Sequence, residues 1–139
     1  MRGTRHISMR ARGALLLLPF LAGCSLGTDV SRPEWARVVL TASTSMRLEL
    51  VTSQRFLVTE GSVQLLESTT DTVSVPFEKT YVLVAPSRFF IRAGNPTQQT
   101  VSFRFRVLME DRVWVDEDET LAPGEKAEFI YRYDEPVLY

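Results

Sequence analysis

The one cysteine of the chain, Cys24, closes the run Leu21-Ala22-Gly23-Cys24. Its thiol is a nucleophile, and small Ala22 and Gly23 beside it permit close access by a membrane enzyme. What precedes the run points to a membrane. Arg2, Arg5, Arg10 and Arg12 form a positive lead, and Ala14-Leu15-Leu16-Leu17-Leu18 is the heart of a short apolar stretch. That stretch is too short to stay in a bilayer as a permanent span, so residues 1–23 read as a processed signal segment. A start at Met9 keeps Arg10 and Arg12 and leaves this reading intact. The alternatives at Cys24 are a plain secretory signal with an incidental cysteine and a structural buried cysteine within a retained amino-terminal helix.

Other chemistries are thinner. The single histidine, His6, lies within the signal, so conventional Ser-His-Asp and Cys-His arrangements are absent from the exported portion. A histidine-containing metal site is absent there too. All 17 acidic residues but only 12 of the 16 basic ones lie from Cys24 onward, a formal charge of −5. That balance gives no support for a nucleic-acid partner. The densest acidic run, Asp116-Glu117-Asp118-Glu119, lacks the spacing of a calcium loop and reads as a solvated loop. Its i, i+2 pairs do not by themselves create the cleft that two-carboxylate glycoside hydrolysis needs. No catalytic residue, metal site or cofactor is assigned.

Leu21-Ala22-Gly23-Cys24 resembles the lipobox of bacterial lipoproteins. The resemblance implies transfer of a diacylglycerol to Cys24, cleavage after Gly23, and acylation of the new amino terminus by a fatty acid such as palmitate. Two or three such chains bury many methylenes at about 0.8 kcal/mol each, enough for durable attachment to the bilayer. Ser25 stands where families of two-membrane bacteria often carry an inner-membrane retention aspartate. The implied location is therefore the extracytoplasmic side, at the outer membrane if the source has two.

Cleavage before Cys24 leaves 116 residues, enough for one small core without a disulfide. Residues 24–34 read as the lipidated cysteine and a short polar tether, and residues 35–139 as a single domain. Strand signals fill it. Met46, Leu48 and Leu50 alternate with Arg47 and Glu49, and Phe56 and Val58 mark a further short strand. Residues 67–71 read as a polar break. Pro76 divides the next apolar stretch or confines it to an edge. Val101, Phe103, Phe105, Val107 and Met109 share one parity, with Ser102, Arg104 and Arg106 on the other. Pro123-Gly124 fits a type II turn. Seven to nine short strands and no ordinary helix predict an all-β antiparallel sandwich, with a small barrel as the second choice. The Gly94-Asn95-Pro96 turn, the alternating strand after it and Leu121-Ala122-Pro123-Gly124-Glu125 resemble small bacterial immunoglobulin-like domains, although the inter-sheet cysteine pair is missing.

Arg104 and Arg106 point together from a regular strand, toward solvent or a partner. Phe89 and Phe90 cannot both face the same way in a regular strand, so one is expected to be exposed or to lie near a bulge. Trp114 opposes Val113 and Val115 in the same way. These five are the candidate interface residues. The predicted role is that of a lipid-anchored, non-catalytic binding or structural protein, for example an accessory subunit on the exposed face of a membrane complex. Its expected partners are the bilayer, through Cys24, and a membrane or cell-envelope protein. The alternatives are a glycan- or peptide-binding module and a carboxylate-dependent envelope hydrolase.

Overall fold

A computed structural model describes residues 32–84 and 87–133. The signal, Cys24, the first part of the tether and the carboxy-terminal Pro136-Val137-Leu138-Tyr139 lie outside the described residues. Eight strands follow in chain order: β1 (Trp35–Thr41), β2 (Met46–Thr59), β3 (Ser62–Val75), β4 (Phe77–Val82), β5 (Arg88–Gly94), β6 (Val101–Met109), β7 (Arg112–Leu121) and β8 (Lys126–Arg132). They form two four-stranded antiparallel sheets, β4-β1-β6-β7 and β3-β2-β5-β8. The fold is thus an immunoglobulin-like β-sandwich, and each sheet ends in free edges rather than closing into a barrel. No helix among the described residues is long and apolar enough to cross a membrane.

Period-two alternation explains the layers. Ala36, Val38 and Leu40 of β1 and Phe103, Phe105, Val107 and Met109 of β6 point inward from one sheet. Leu48 and Leu50 of β2, Phe89, Ile91 and Ala93 of β5, and Ala127 and Tyr131 of β8 meet them from the other. The long β6 pattern read from sequence is therefore the inner face of a central strand.

Two polar stretches are strands, against expectation. Residues 67–71 lie within the 14-residue β3, and Asp116-Glu117-Asp118-Glu119 lies within β7 rather than in a loop. Both are edge strands, where either face can meet water, so polarity does not end pairing. Threonines 69, 70 and 72 favour the extended backbone of β3. Glu117 and Glu119 oppose the inward Phe105 and Phe103, an inward-facing charge that discourages further strand addition at β7. At Pro76 the chain leaves β3 and enters β4 in the other sheet, so the proline does divide two edge strands.

β2 is also one strand, where the sequence suggested two. Its pairing with β3 is irregular around Arg55. Val51 and Phe56, five residues apart, nevertheless share one small cluster with Phe90, which a regular strand forbids. The irregularity turns the outer half of the β2–β3 hairpin over. Ser53 stitches it in place: the buried hydroxyl accepts from the Arg55 N–H at 3.1 Å and lies within hydrogen-bonding range of the Arg55 and Glu67 carbonyls.

At one end, Asn95 holds two turns together. Its side-chain amide donates to the carbonyls of Gln99 (2.7 Å) and Leu121 (3.0 Å), and its Oδ1 accepts from the Thr97 N–H at 3.0 Å. At the other end the chain enters the body. Arg32 donates to Ser87 Oγ (2.6 Å) and to the Val84 carbonyl (3.0 Å), while Ser87 Oγ donates to the Pro33 carbonyl (2.8 Å).

These packing relations set the expected costs of substitution. Phe105→Ala should cost about 3–5 kcal/mol in urea unfolding, as expected for an emptied core site. Ser53→Ala should cost about 1–3 kcal/mol by leaving buried main-chain groups unpaired. A Ser53→Ala protein as stable as the parent would remove the hydroxyl from this role.

Candidate functional site

Arg104 and Arg106 do project from the outer face of the β4-β1-β6-β7 sheet, but β7 meets them there. Arg104 Nε donates to Asp116 Oδ1 at 2.6 Å, and its Nη1 lies 3.6 Å from Asp118. Arg106 Nε lies 3.3 Å from the same Asp116 oxygen without hydrogen-bond geometry. The ladder continues across the sheet with Arg37 and Glu78, 3.5 Å apart. The hydrogen bond from Arg104 holds the Asp116 carboxyl below its ordinary range; partial desolvation opposes this, and the charges of Arg104 and Arg106 reinforce it. Arg104 is correspondingly held more firmly protonated. This face therefore satisfies its own charge, through an acidic run whose sequence reads as a loop.

The aromatic candidates separate. Phe89 and Phe90 are both fully buried, so neither ring is exposed; Phe90 instead pairs with Ser53, beside the irregularity of β2. Phe89 enters the inter-sheet core, and Phe90 packs on the opposite side of its sheet against Val51 and Phe56. The guanidinium of Arg92 lies 5.3 Å from the Phe90 ring and covers it from solvent. Trp114 remains about half exposed. It sits where the β6–β7 register shifts, edge-on to Tyr131 of β8 with ring centroids 5.1 Å apart. It thereby joins the β7 and β8 edges on one side of the sandwich.

On the other side the sheets stay apart. A cleft of about 570 Å³ opens between β3 and β4. Lys79 and Tyr81 line it from β4, Thr52 and Gln54 from β2, and Thr69 from β3, with Phe89 among its lining residues. Tyr81 packs on Phe89 with ring centroids 5.2 Å apart, and Lys79 Nζ lies 5.0 Å from the Tyr81 ring. Arg55 pairs with Glu67 at the rim. Burial, and secondarily the charge of Asp71, pushes the Tyr81 hydroxyl above its ordinary value of 10.0.

Gln54 spans one end of the cleft. Its Nε2 donates to the Val82 carbonyl and its Oε1 accepts from the Val84 N–H, both at 2.8 Å. A side-chain amide thus does what a neighbouring strand would do along β4. Leu83 turns its N–H the other way, to the Glu34 carbonyl at 2.8 Å. Antiparallel alternation then directs the main-chain groups of Glu78 and Thr80 to the same free side as Val82. The arrangement offers an extended polypeptide backbone pairing at the edge and a polar recess for its side chains.

Sequence reasoning did not single out Gln54, Lys79 or Tyr81. Pro76 was the one available signal, since it pointed to an edge or to a division into two strands at this place. Among the described residues no group of three or more His, Cys, Asp or Glu side chains is placed to hold a metal ion. The chain matches no protein-family model, no curated protein and no solved structure.

Two pH dependences follow from these environments. Tyr81 is favoured in its neutral form in the folded state, so its contribution to stability is present below about pH 10 and is lost as pH rises through the folded value. Tyr81→Phe should flatten the alkaline decline of the urea midpoint; an unchanged decline would contradict the assignment. Asp116 has the opposite sign, since its contribution is present above the unfolded value and is lost as pH falls. Asp116→Asn should flatten the acid side, as followed by circular dichroism.

Proposed function

We propose that the protein is a lipid-anchored, extracytoplasmic binding protein without catalytic activity. Its partner is a cell-envelope protein that contributes an extended segment to the β3–β4 cleft. The observation that carries this reading is the free β4 edge beside the cleft, where the Gln54 amide already occupies strand-pairing groups of Val82 and Val84. Edge addition supplies affinity through main-chain hydrogen bonds, and recesses for alternate side chains supply selectivity. Lys79 in the cleft favours a segment that carries an acidic side chain.

Attachment is assigned to Cys24. A basic lead, an apolar stretch and Leu21-Ala22-Gly23-Cys24 stand in the order that export and lipidation require. Confinement to a membrane surface raises the local concentration of any partner held in the same membrane. An accessory role on a membrane complex fits that economy better than recognition of a diffusing ligand.

Cell fractionation and site-specific photocrosslinking test the two parts together. The Cys24→Ser chain should leave the membrane fraction. A photoreactive residue replacing Thr80 should give a discrete protein adduct that the same residue at Thr44 does not give, and Lys79→Glu should reduce its yield several-fold. Equal adducts at both sites, or none at Thr80, would remove the cleft from the account.

A further inference from the structure

Exposed apolar side chains are not spread evenly over the body. Among the described residues the large ones are Leu57, Leu66, Val82, Val84, Val113, Trp114, Ile130 and Tyr133. The strand registers place all of them toward the end at which the chain enters. Val82 pairs with Trp35 at the start of β1, and the Val84 carbonyl accepts from Arg32. Leu57, Leu66 and Val84 line one shallow recess of about 270 Å³. The Tyr133 N–H donates to the Ser87 carbonyl, beside Pro33. Val113 and Trp114 follow the β6–β7 turn, whose Glu110 accepts from the Glu34 N–H through its side chain and donates its own N–H to the Trp35 carbonyl.

The far end has the opposite character. Its turns present Ser43-Thr44-Ser45, Gln98-Gln99-Thr100 and Pro123-Gly124-Glu125, all exposed. A soluble body facing water on every side has no physical reason to sort its surface in this way.

We infer that the end carrying Leu57, Leu66, Val82 and Val84 rests on the lipid–water interface of the membrane that holds Cys24. This inference builds on the anchoring assigned above. Arg32 stands eight residues after Cys24. Even a fully extended chain spans only about 28 Å over that separation, at roughly 3.5 Å per residue. Lipidation would therefore keep the apolar end, and not the polar one, closest to the headgroups. Acidic Glu60 and Glu110 lie in the turns of this end together with Arg32 and Arg112, so apolar contact rather than attraction to anionic lipid must hold it down. Aliphatic residues beside a half-exposed tryptophan and tyrosine suit the boundary between headgroups and acyl chains.

The test uses the mature lipidated chain in phosphatidylcholine vesicles at low protein density. With Cys24 acylated, a cysteine introduced at Leu66 or at Thr44 is the one free thiol for a nitroxide label. The Leu66 label should be several-fold more accessible to oxygen, relative to a water-soluble nickel relaxant, than the Thr44 label. Adding Leu57→Asp and Val84→Asp, both at exposed positions, should abolish that difference while the protein stays on the vesicles and keeps its β-sheet spectrum. Equal, water-like accessibility at both sites on vesicle-bound protein would overturn the inference alone. Spin–spin broadening at Leu66 would also overturn it, by showing that a second copy covers this end. Protein that does not associate with vesicles and shows no acyl mass would overturn the anchoring instead.

Discussion

Everything in this protein depends on two sheets burying each other's alternate side chains with no disulfide between them. Leu40, Val38, Phe105 and Val107 from one sheet close on Leu48, Leu50, Phe89 and Ile91 from the other. The chain has a single cysteine, Cys24, so no disulfide within it adds to this contact. Burial of apolar surface, at roughly 25 cal/mol per Å², must carry the fold against chain entropy. Each central strand therefore commits one full face to the core, and polarity is left to outer faces, edges and ends.

The surface features are consequences of that commitment. On the outer face of the β4-β1-β6-β7 sheet, arginines and carboxylates neutralise each other across neighbouring strands. The outer face of the other sheet builds a second, smaller core from Val51, Phe56 and Phe90, because the β2–β3 hairpin turns over at Ser53. One lateral opening is joined by Trp114 and Tyr131. The other remains a cleft beside two free edges, and the proposed partner site rests on this asymmetry. The same asymmetry runs along the strands, from a polar end to an apolar one.

Much of the fold was legible because strict alternation has few solutions. The inward face of β6 followed from Val101 to Met109, the break between β3 and β4 from Pro76, and the sandwich from the density of strands and turns. Misreadings arose where a local rule meets a topological fact. Glu67 to Asp71 and Asp116 to Glu119 look like loops until their strands are known to be edges. Arg104 and Arg106 looked free because their partners come from the next strand and not from their own. Phe89 and Phe90 cannot share a face, but alternation does not reveal that each face has its own core. The cleft was invisible for a similar reason: Gln54, Lys79 and Tyr81 come together only through the sheet order. Cys24 stands apart, since its assignment rests on the order of the residues before it.

Intact-mass measurement of the protein isolated from its source cells tests the proposed anchoring, on which the functional account rests, most directly. The account predicts a polypeptide beginning at Cys24 that is heavier than residues 24–139 by a diacylglyceryl group, with or without a further acyl chain. A mass matching the unmodified polypeptide, or one that still contains residues 1–23, would contradict it.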